Sequence, residues 1–450
     1  MPSELHEALT ASGASALIPK QIDPFLQEQV RRFSPLLMAT PSVEWDTNTF
    51  YFNVRTALPN GGNVADGGAR SITNSTYTQS NFPIALYQTL GGVTGFAQAV
   101  TRGVIGDLKA KEEEGALMSQ QWDIETGICW GNAAATASGQ YPQHDSLDSQ
   151  VNTYSGSSQN AYQNSSSTAV ALSNLDTLIA SITKRAAMPV MAAPWMFVMS
   201  PSMKLAVEAL LTNNQRFLGE IEVAAGLLVP SYKGVPIVES SFVGATGIQM
   251  GTVSHSTAST GGTIADSTTN YYQISAVFAR SGLSQASTEV SQATGTPGTN
   301  TSAITLTFST PTGPDSAGPI LYKVYSSTTT GTETLIGVVD AYDKGGTAVT
   351  SIIDTGTNLL TNSSGQTGPS AYVGANGQKP RGASDEDIFL VPQDEDYLVR
   401  PYIRDCQVED LARTSTAPDT LPFAVFSDTA FAIRGAKYVA RYGRVTANGL

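Results

Sequence analysis

The longest hydrophobic pattern in the chain runs from Gly103 to Trp130. At about 100° per residue, Val104, Leu108, Met118, Trp122 and Cys129 fall on one side, and Leu117, Ile124 and Ile128 gather near the other. The spacing predicts one long helix packed on two sides, about 40 Å in length at 1.5 Å per residue. The charged run Lys109 to Glu114 marks turns that face solvent or a neighbour.

Ahead of this helix the pattern changes to alternation. Phe50, Phe52 and Val54 alternate with Thr49, Tyr51, Asn53 and Arg55, and Pro59-Asn60-Gly61-Gly62 and Asp66-Gly67-Gly68 supply turns. Residues 43–92 are therefore expected as a projecting two-stranded excursion whose polar tip has little to bury. Residues 1–42 read as an arm. Ile18, Pro19, Ile22, Pro24, Phe25 and Leu26 lead into a short amphipathic piece from Gln27 to Phe33, which Pro35 and Pro41 keep from continuing. An arm with so little apolar surface must lie on its own subunit or the next one.

After the helix, Gly131 to Thr168 is dominated by Ser, Gln, Asn, Ala and Gly and reads as a loop or linker. Helical spacing resumes at Leu172, Leu175, Leu178, Ile179 and Ile182, and Trp195 to Met199 reads as a buried strand. Ser200-Pro201 starts a helix, with a hydroxyl at the cap and proline in the first turn. Met203, Ala206, Val207, Leu210 and Leu211 form its apolar stripe, and Gly234 to Val238 is a further strand. Residues 169–250 thus form an α/β lobe.

From residue 251 to about 380 nearly every periodic segment alternates: Tyr272, Ile274, Ala276 and Phe278; Ile304, Leu306 and Phe308; Ile320, Tyr322 and Val324. Gly, Pro, Ser and Thr clusters separate them, the signature of a β-sandwich. The α/β pattern resumes in Ile388 to Val391, Tyr397 to Ile403 and Phe423 to Val445. The sandwich is therefore an insertion, of the kind tolerated at surface loops whose ends lie close together.

Composition narrows the function. Over 450 residues the net charge is −13 with 14% charged residues, which suits subunit contacts and argues against a protein that coats duplex DNA. Cys129 and Cys406 have no metal-ligand spacing, and His6, His144 and His255 are scattered. No phosphate-binding loop, dinucleotide fingerprint or nucleophile elbow occurs. Asp385-Glu386-Asp387 and Asp394-Glu395-Asp396 are expected as solvated loop charge, and Asp340, Asp343 and Asp354 match no calcium loop. Arg434, Lys437, Arg441 and Arg444 lack the density of a nucleic-acid binder and are expected in subunit salt bridges. With no apolar run of about 18 residues and no leader, the expectation is a soluble protein that works where it is made.

The order of parts resembles the major capsid protein of tailed bacteriophages. Leu17-Ile18-Pro19, Phe50 to Ala57 with its Gly-rich tip, Gly103 to Trp130, Phe197-Val198-Met199-Ser200-Pro201 and Phe423 to Val445 carry the resemblance. Tyr271 to Ala276, Ala303 to Phe308, Tyr322 to Tyr325 and Ile353 to Gly356 resemble a fibronectin type III or related immunoglobulin-like module. The resemblance implies an α+β capsid fold: N-arm 1–42, E-loop 43–92, spine helix and first part of the peripheral domain 93–168, and axial domain 169–250. An inserted immunoglobulin-like sandwich at 251–380 and a return through the axial to the peripheral domain at 381–450 complete it.

It implies a non-enzymatic subunit without metal or cofactor. Copies would form the hexamers and pentamers of an icosahedral head around double-stranded DNA, with the sandwich outward. Separate scaffolding, portal and cement proteins are the expected partners, with no membrane involved and assembly in the host cytoplasm. Subunit contacts are expected at Ile18, Phe25, Arg55, Arg70, Arg434, Lys437, Arg441 and Arg444. Because no lysine lies between Lys20 and Lys109, the shell is expected to be non-covalent. The competing reading is a secreted carbohydrate-binding adhesin or glycoside-active enzyme carrying a fibronectin-like module.

Overall fold

The computed structural model describes the chain outside residues 1–33, 67, 103–106, 134–142, 154–160, 187–194, 214–218, 225–226, 259, 296–300, 314–317, 344–345, 357–359, 363–377, 414–417 and 448–450. The first part holds α1 (Pro35–Ala39), β1 (Ser42–Glu44), β2 (Thr49–Ala57), β3 (Thr76–Pro83), β4 (Ala85–Thr94), α2 (Gly95–Thr101) and α3 (Leu108–Trp130). Next come α4 (Leu147–Thr153), β5 (Tyr162–Ala169), α5 (Leu172–Ala186), β6 (Trp195–Met199), α6 (Pro201–Asn213), β7 (Gly219–Ala224), β8 (Leu227–Tyr232) and β9 (Val235–Glu239).

An all-β stretch follows, with β10 (Val253–Ala258), β11 (Thr269–Phe278), β12 (Gly282–Leu283), β13 (Val290–Ala293), β14 (Ala303–Phe308), β15 (Pro319–Ser327), β16 (Thr334–Asp340), β17 (Ser351–Asp354) and β18 (Leu360–Asn362). The chain closes through β19 (Asp385–Pro392), β20 (Leu398–Asp410), β21 (Thr420–Thr429), β22 (Ala432–Ile433) and β23 (Ala440–Thr446).

A mixed sheet in the order β5-β23-β19-β6-β9-β8-β7 forms the centre of the body. Strand side chains alternate between faces, and β6 shows why its sequence is apolar throughout. Trp195, Phe197 and Met199 point into one core with α5 and α6, while Met196 and Val198 join the core built on α3. β9 runs parallel and β19 antiparallel on either side of β6. The all-β stretch therefore leaves after one neighbour of β6 and returns into the other, at the same end of the sheet.

A second sheet, β1-β20-β21-β4, carries α3 on one face. The all-β stretch makes two more sheets, β10-β14-β17-β18 and β12-β11-β15-β16, around Tyr272, Ile274, Phe278, Ile304, Leu306, Tyr322, Val324 and Ile352. Its β11–β15 sheet is buried on both faces. Val277, Leu283 and Leu321 leave the sandwich core and pack with Trp130, Phe242 and Phe389 of the body.

Several local expectations change. Pro35 opens α1 as its first residue, where the missing N–H costs nothing, and Leu36 and Ala39 are buried. α3 begins at Leu108 because Asp107 caps it by accepting from Ala110 N at 3.2 Å; Val104 lies outside the described residues. The polar stretch after α3 is not a bare linker, since it contains the buried α4 and the strand β5. Its polar side chains are internally bonded: Gln150 donates to Phe431 O at 2.9 Å and accepts from Ile433 N at 2.7 Å.

Candidate functional site

Two features stand out from the body: a projecting hairpin and a buried charge cluster. β2 and β3 pair in register from Thr49–Pro83 to Arg55–Tyr77 and, among the described residues, form a two-stranded sheet. Phe50 anchors the base, packed with Val399 and Ala432 and edge-on to Trp45 at 4.8 Å between ring centroids. Farther out no described residue covers the side chains. Leu58, Val64 and Tyr77 are more than half exposed, and Ile72 is 93% exposed. An isolated two-stranded ribbon is marginal in water and offers unpaired edges.

The charge cluster surrounds Trp130, the last residue of α3. Its indole N–H donates to Phe242 O at 2.7 Å, and its ring lies 5.0 Å from Lys323 Nζ, 5.4 Å from the Arg381 guanidinium and 5.5 Å from that of Arg441. Asp148 bridges Lys323 and Arg441, and Asp387 bridges Arg381 and Arg441 at 3.1 Å each. These five charged side chains are almost fully buried. Three cations face two carboxylates, and the Trp130 π face takes up part of the surplus.

The cluster assembles distant segments. Lys323 comes from β15 of the all-β stretch, Arg381 from its exit, Asp148 from α4, Asp387 from β19 and Arg441 from β23. Burial works to raise the pKa of Asp148, but Lys323 and Arg441 outweigh it and hold the group at about 2. Burial pushes Lys323 down to about 8 against the pull of Asp148. Nearby on α3, burial pushes Glu125 up to about 7 although Ser240 Oγ donates to it at 2.6 Å. Burial also drives His144 down to about 4.

The acidic triplet Asp385-Glu386-Asp387 corrects its expectation as solvated loop charge. It lies in β19 and is buried, because each carboxylate finds a donor there. Asp385 pairs with Arg444 at 3.0 Å, Glu386 accepts from Ser200 and Ser202 at the start of α6, and Asp387 takes Arg381 and Arg441. In Asp394-Glu395-Asp396 the last two residues are exposed, and Asp394 is partly so.

Arg441 is thus spent inside its own subunit, and Arg444 is paired there as well. Arg434 is half-buried, 5.6 Å over the Phe50 ring, and Lys437 is exposed. Arg55 lies over Tyr77 at 5.4 Å on the hairpin, and Arg70 packs on Gly62 at its tip. Ile18 and Phe25 fall outside the described residues. Asp340, Asp343 and Asp354 do not gather, and among the described residues no three His, Cys, Asp or Glu side chains are placed to hold a metal. Sequence reading missed Lys323 and Asp148. The one available signal was a lysine inside the alternating run Tyr322-Lys323-Val324-Tyr325, at a position flanked by buried aromatics.

Residues 39–245 match the family model described as SU10 major capsid protein. No curated protein matches the chain. Among solved structures, the capsid asymmetric unit of cyanophage A-1(L) is similar with a TM-score of 0.50 and 9% identity, covering 97% of this chain and 100% of that one. A chain of Mycobacterium phage Bobi gives 0.48 and 10%, covering 97% and 98%. The SrpI encapsulin of Synechococcus elongatus PCC 7942 gives 0.48 and 10%, covering 98% and 97%. The family is structural rather than catalytic. Over residues 39–245 the chain is thus similar in sequence to the SU10 major capsid protein family, and along its length its α+β fold is similar to that of the cyanophage capsid chain.

Proposed function

We propose that the chain is the subunit of an icosahedral phage head, joining as hexamers and pentamers around double-stranded DNA that it does not read by sequence. The hairpin is the observation that supports this most. Its apolar side chains are exposed on the isolated subunit, and a neighbouring copy is the surface that would cover them. In this reading residues 1–42 are the N-arm, 43–92 the E-loop, 93–168 the spine helix with the first part of the peripheral domain, and 169–250 the axial domain. Residues 251–380 are an immunoglobulin-like domain facing outward, and 381–450 return through the axial to the peripheral domain.

Of the residues expected at subunit contacts, Arg55, Arg70, Arg434 and Lys437 are the basic groups this reading assigns to neighbours, together with Ile18 and Phe25 of the arm. The net charge of −13 lets packaged DNA slide without adhering. Separate scaffolding, portal and cement proteins complete the particle, which assembles in the host cytoplasm.

The test is negative-stain microscopy with light scattering on the purified chain, expressed with and without a candidate scaffold. Rings of five or six, tubes or closed shells are expected, and a monomer under both conditions would overturn the proposal. Replacing residues 58–75 with a short Gly-Ser turn should leave a folded subunit that no longer forms shells.

A further inference from the structure

We propose that the inserted sandwich splints the C-terminal half of α3, forming a wall of the channel in which the long helix lies. Ser119, Asp123, Thr126 and Trp130 are spaced to share one face of that helix. The insert and its exit segment touch all four. Arg280, in the turn between β11 and β12, donates from Nη2 to Ser119 Oγ at 2.5 Å and from Nε to Asp123 Oδ1 at 3.2 Å. Its backbone N–H donates to Thr126 Oγ1 at 3.0 Å. One turn farther on, Lys323 and Arg381 lie against the ring of Trp130.

The other faces of α3 are covered by the body. Gln120 donates to Tyr87 O on β4 at 3.3 Å, and Glu125 takes Ser240 Oγ and the N–H of Leu37 in α1. Without the insert, Thr126 and Trp130, which are 1% and 0% exposed, would lose part of their cover, Trp130 keeping Phe389 and Arg441 of the body. The N-terminal turns of α3 are held by the body instead, Lys109 pairing with Asp410 at 2.5 Å and its N–H donating to Gln98 Oε1 at 3.1 Å, and Gly115 there has nothing within 4 Å of where a Cβ would stand. Arg280 itself holds φ at 66°, a conformation that glycine adopts freely. The position carries a clamp where backbone geometry alone would favour glycine.

That conformation makes the test clean. In the full-length, unassembled chain, Arg280→Gly keeps the φ angle and the N–H to Thr126 and removes only the side-chain clamp. Hydrogen exchange read by mass spectrometry should show residues 119–130 exchanging about tenfold faster, while β11, β14 and β15 keep their protection. Adding Lys323→Met, which removes the amine from Trp130 at similar volume, should extend the effect to the end of the helix. Unchanged exchange over residues 119–130 in both variants would overturn the proposal, and so would equal acceleration along the whole chain. The measurement does not depend on shell assembly, so it stands apart from the head reading.

Discussion

Lys323 Nζ lies 2.5 Å from Asp148 Oδ2, with both side chains 1% exposed, and the pair ties a strand of the insert to a helix of the body. Asp148 also receives Arg441, so one carboxylate is shared by two cations that water cannot reach. Breaking a buried pair by removing one partner is costly because the other charge stays behind uncompensated.

The two partners are therefore not equivalent. Asp148→Asn leaves Lys323, Arg381 and Arg441 with Asp387 alone and should destabilise the subunit by about 3–5 kcal/mol. Lys323→Met removes the surplus cation, leaves Asp148 paired with Arg441, and should cost less than about 1.5 kcal/mol. Urea unfolding of both variants checks this, and equal losses would contradict the charge count.

Two glycines in α3 should respond in opposite directions. At Gly115 nothing lies within 4 Å of an added Cβ, so Gly115→Ala should stabilise the chain by about 0.5–1 kcal/mol through helix propensity. At Gly127 the same atom would meet the Tyr87 hydroxyl and lie 3.0 Å from His144 Nε2. Gly127→Ala should destabilise by about 1–3 kcal/mol despite the same propensity gain. Melting temperatures of the two variants on opposite sides of the parent would show it.

Two buried groups at α3 contribute to the pH dependence with opposite sign. Burial raises Glu125 from 4.5 to about 7, so between those values the folded chain keeps a proton that the unfolded chain has lost. This contribution is full below pH 4.5 and is lost as pH rises through 7. His144 is lowered by burial from 6.5 to about 4, so its contribution is full above pH 6.5 and is lost as pH falls through 4. Glu125 faces Ser240, the N–H of Leu37 and the thiol of Cys129, and hydrogen bonds rather than a cation oppose the effect of its burial. Subtracting the stability curve of Glu125→Gln from that of the parent isolates its contribution. The difference should fall by about 3 kcal/mol between pH 4.5 and 7, and a flat difference would refute the assignment.

The hairpin contains no lysine, since none occurs between Lys20 and Lys109. Mature particles boiled in detergent should release a monomer near 47.2 kDa. A ladder of covalent multimers would show that another group makes the bond.

Much of the fold was legible in the sequence wherever the reason for an element is local. Alternation in Phe50 to Val54 marks β2, the apolar run Trp195 to Met199 marks β6, and Ser200 caps α6 by accepting from Met203 N at 3.1 Å. The change to alternating segments near residue 251 marks the all-β stretch. What tertiary structure alone decided is the fate of charge. Asp385, Glu386, Asp387, Arg441 and Arg444 read as surface residues because a charge is costly to bury without a partner, and apart from Arg381 beside Asp387 the partners stand tens to hundreds of positions away. Asp148 and Lys323 are 175 residues apart and meet only because the insert folds back on α3. A polar stretch such as Gln143 to Gln150 likewise reads as a loop until Ile320, Phe431 and Ile433 arrive to satisfy it. Periodicity records which face of an element is buried, whereas the pairing of buried charges depends on contacts that no local window contains.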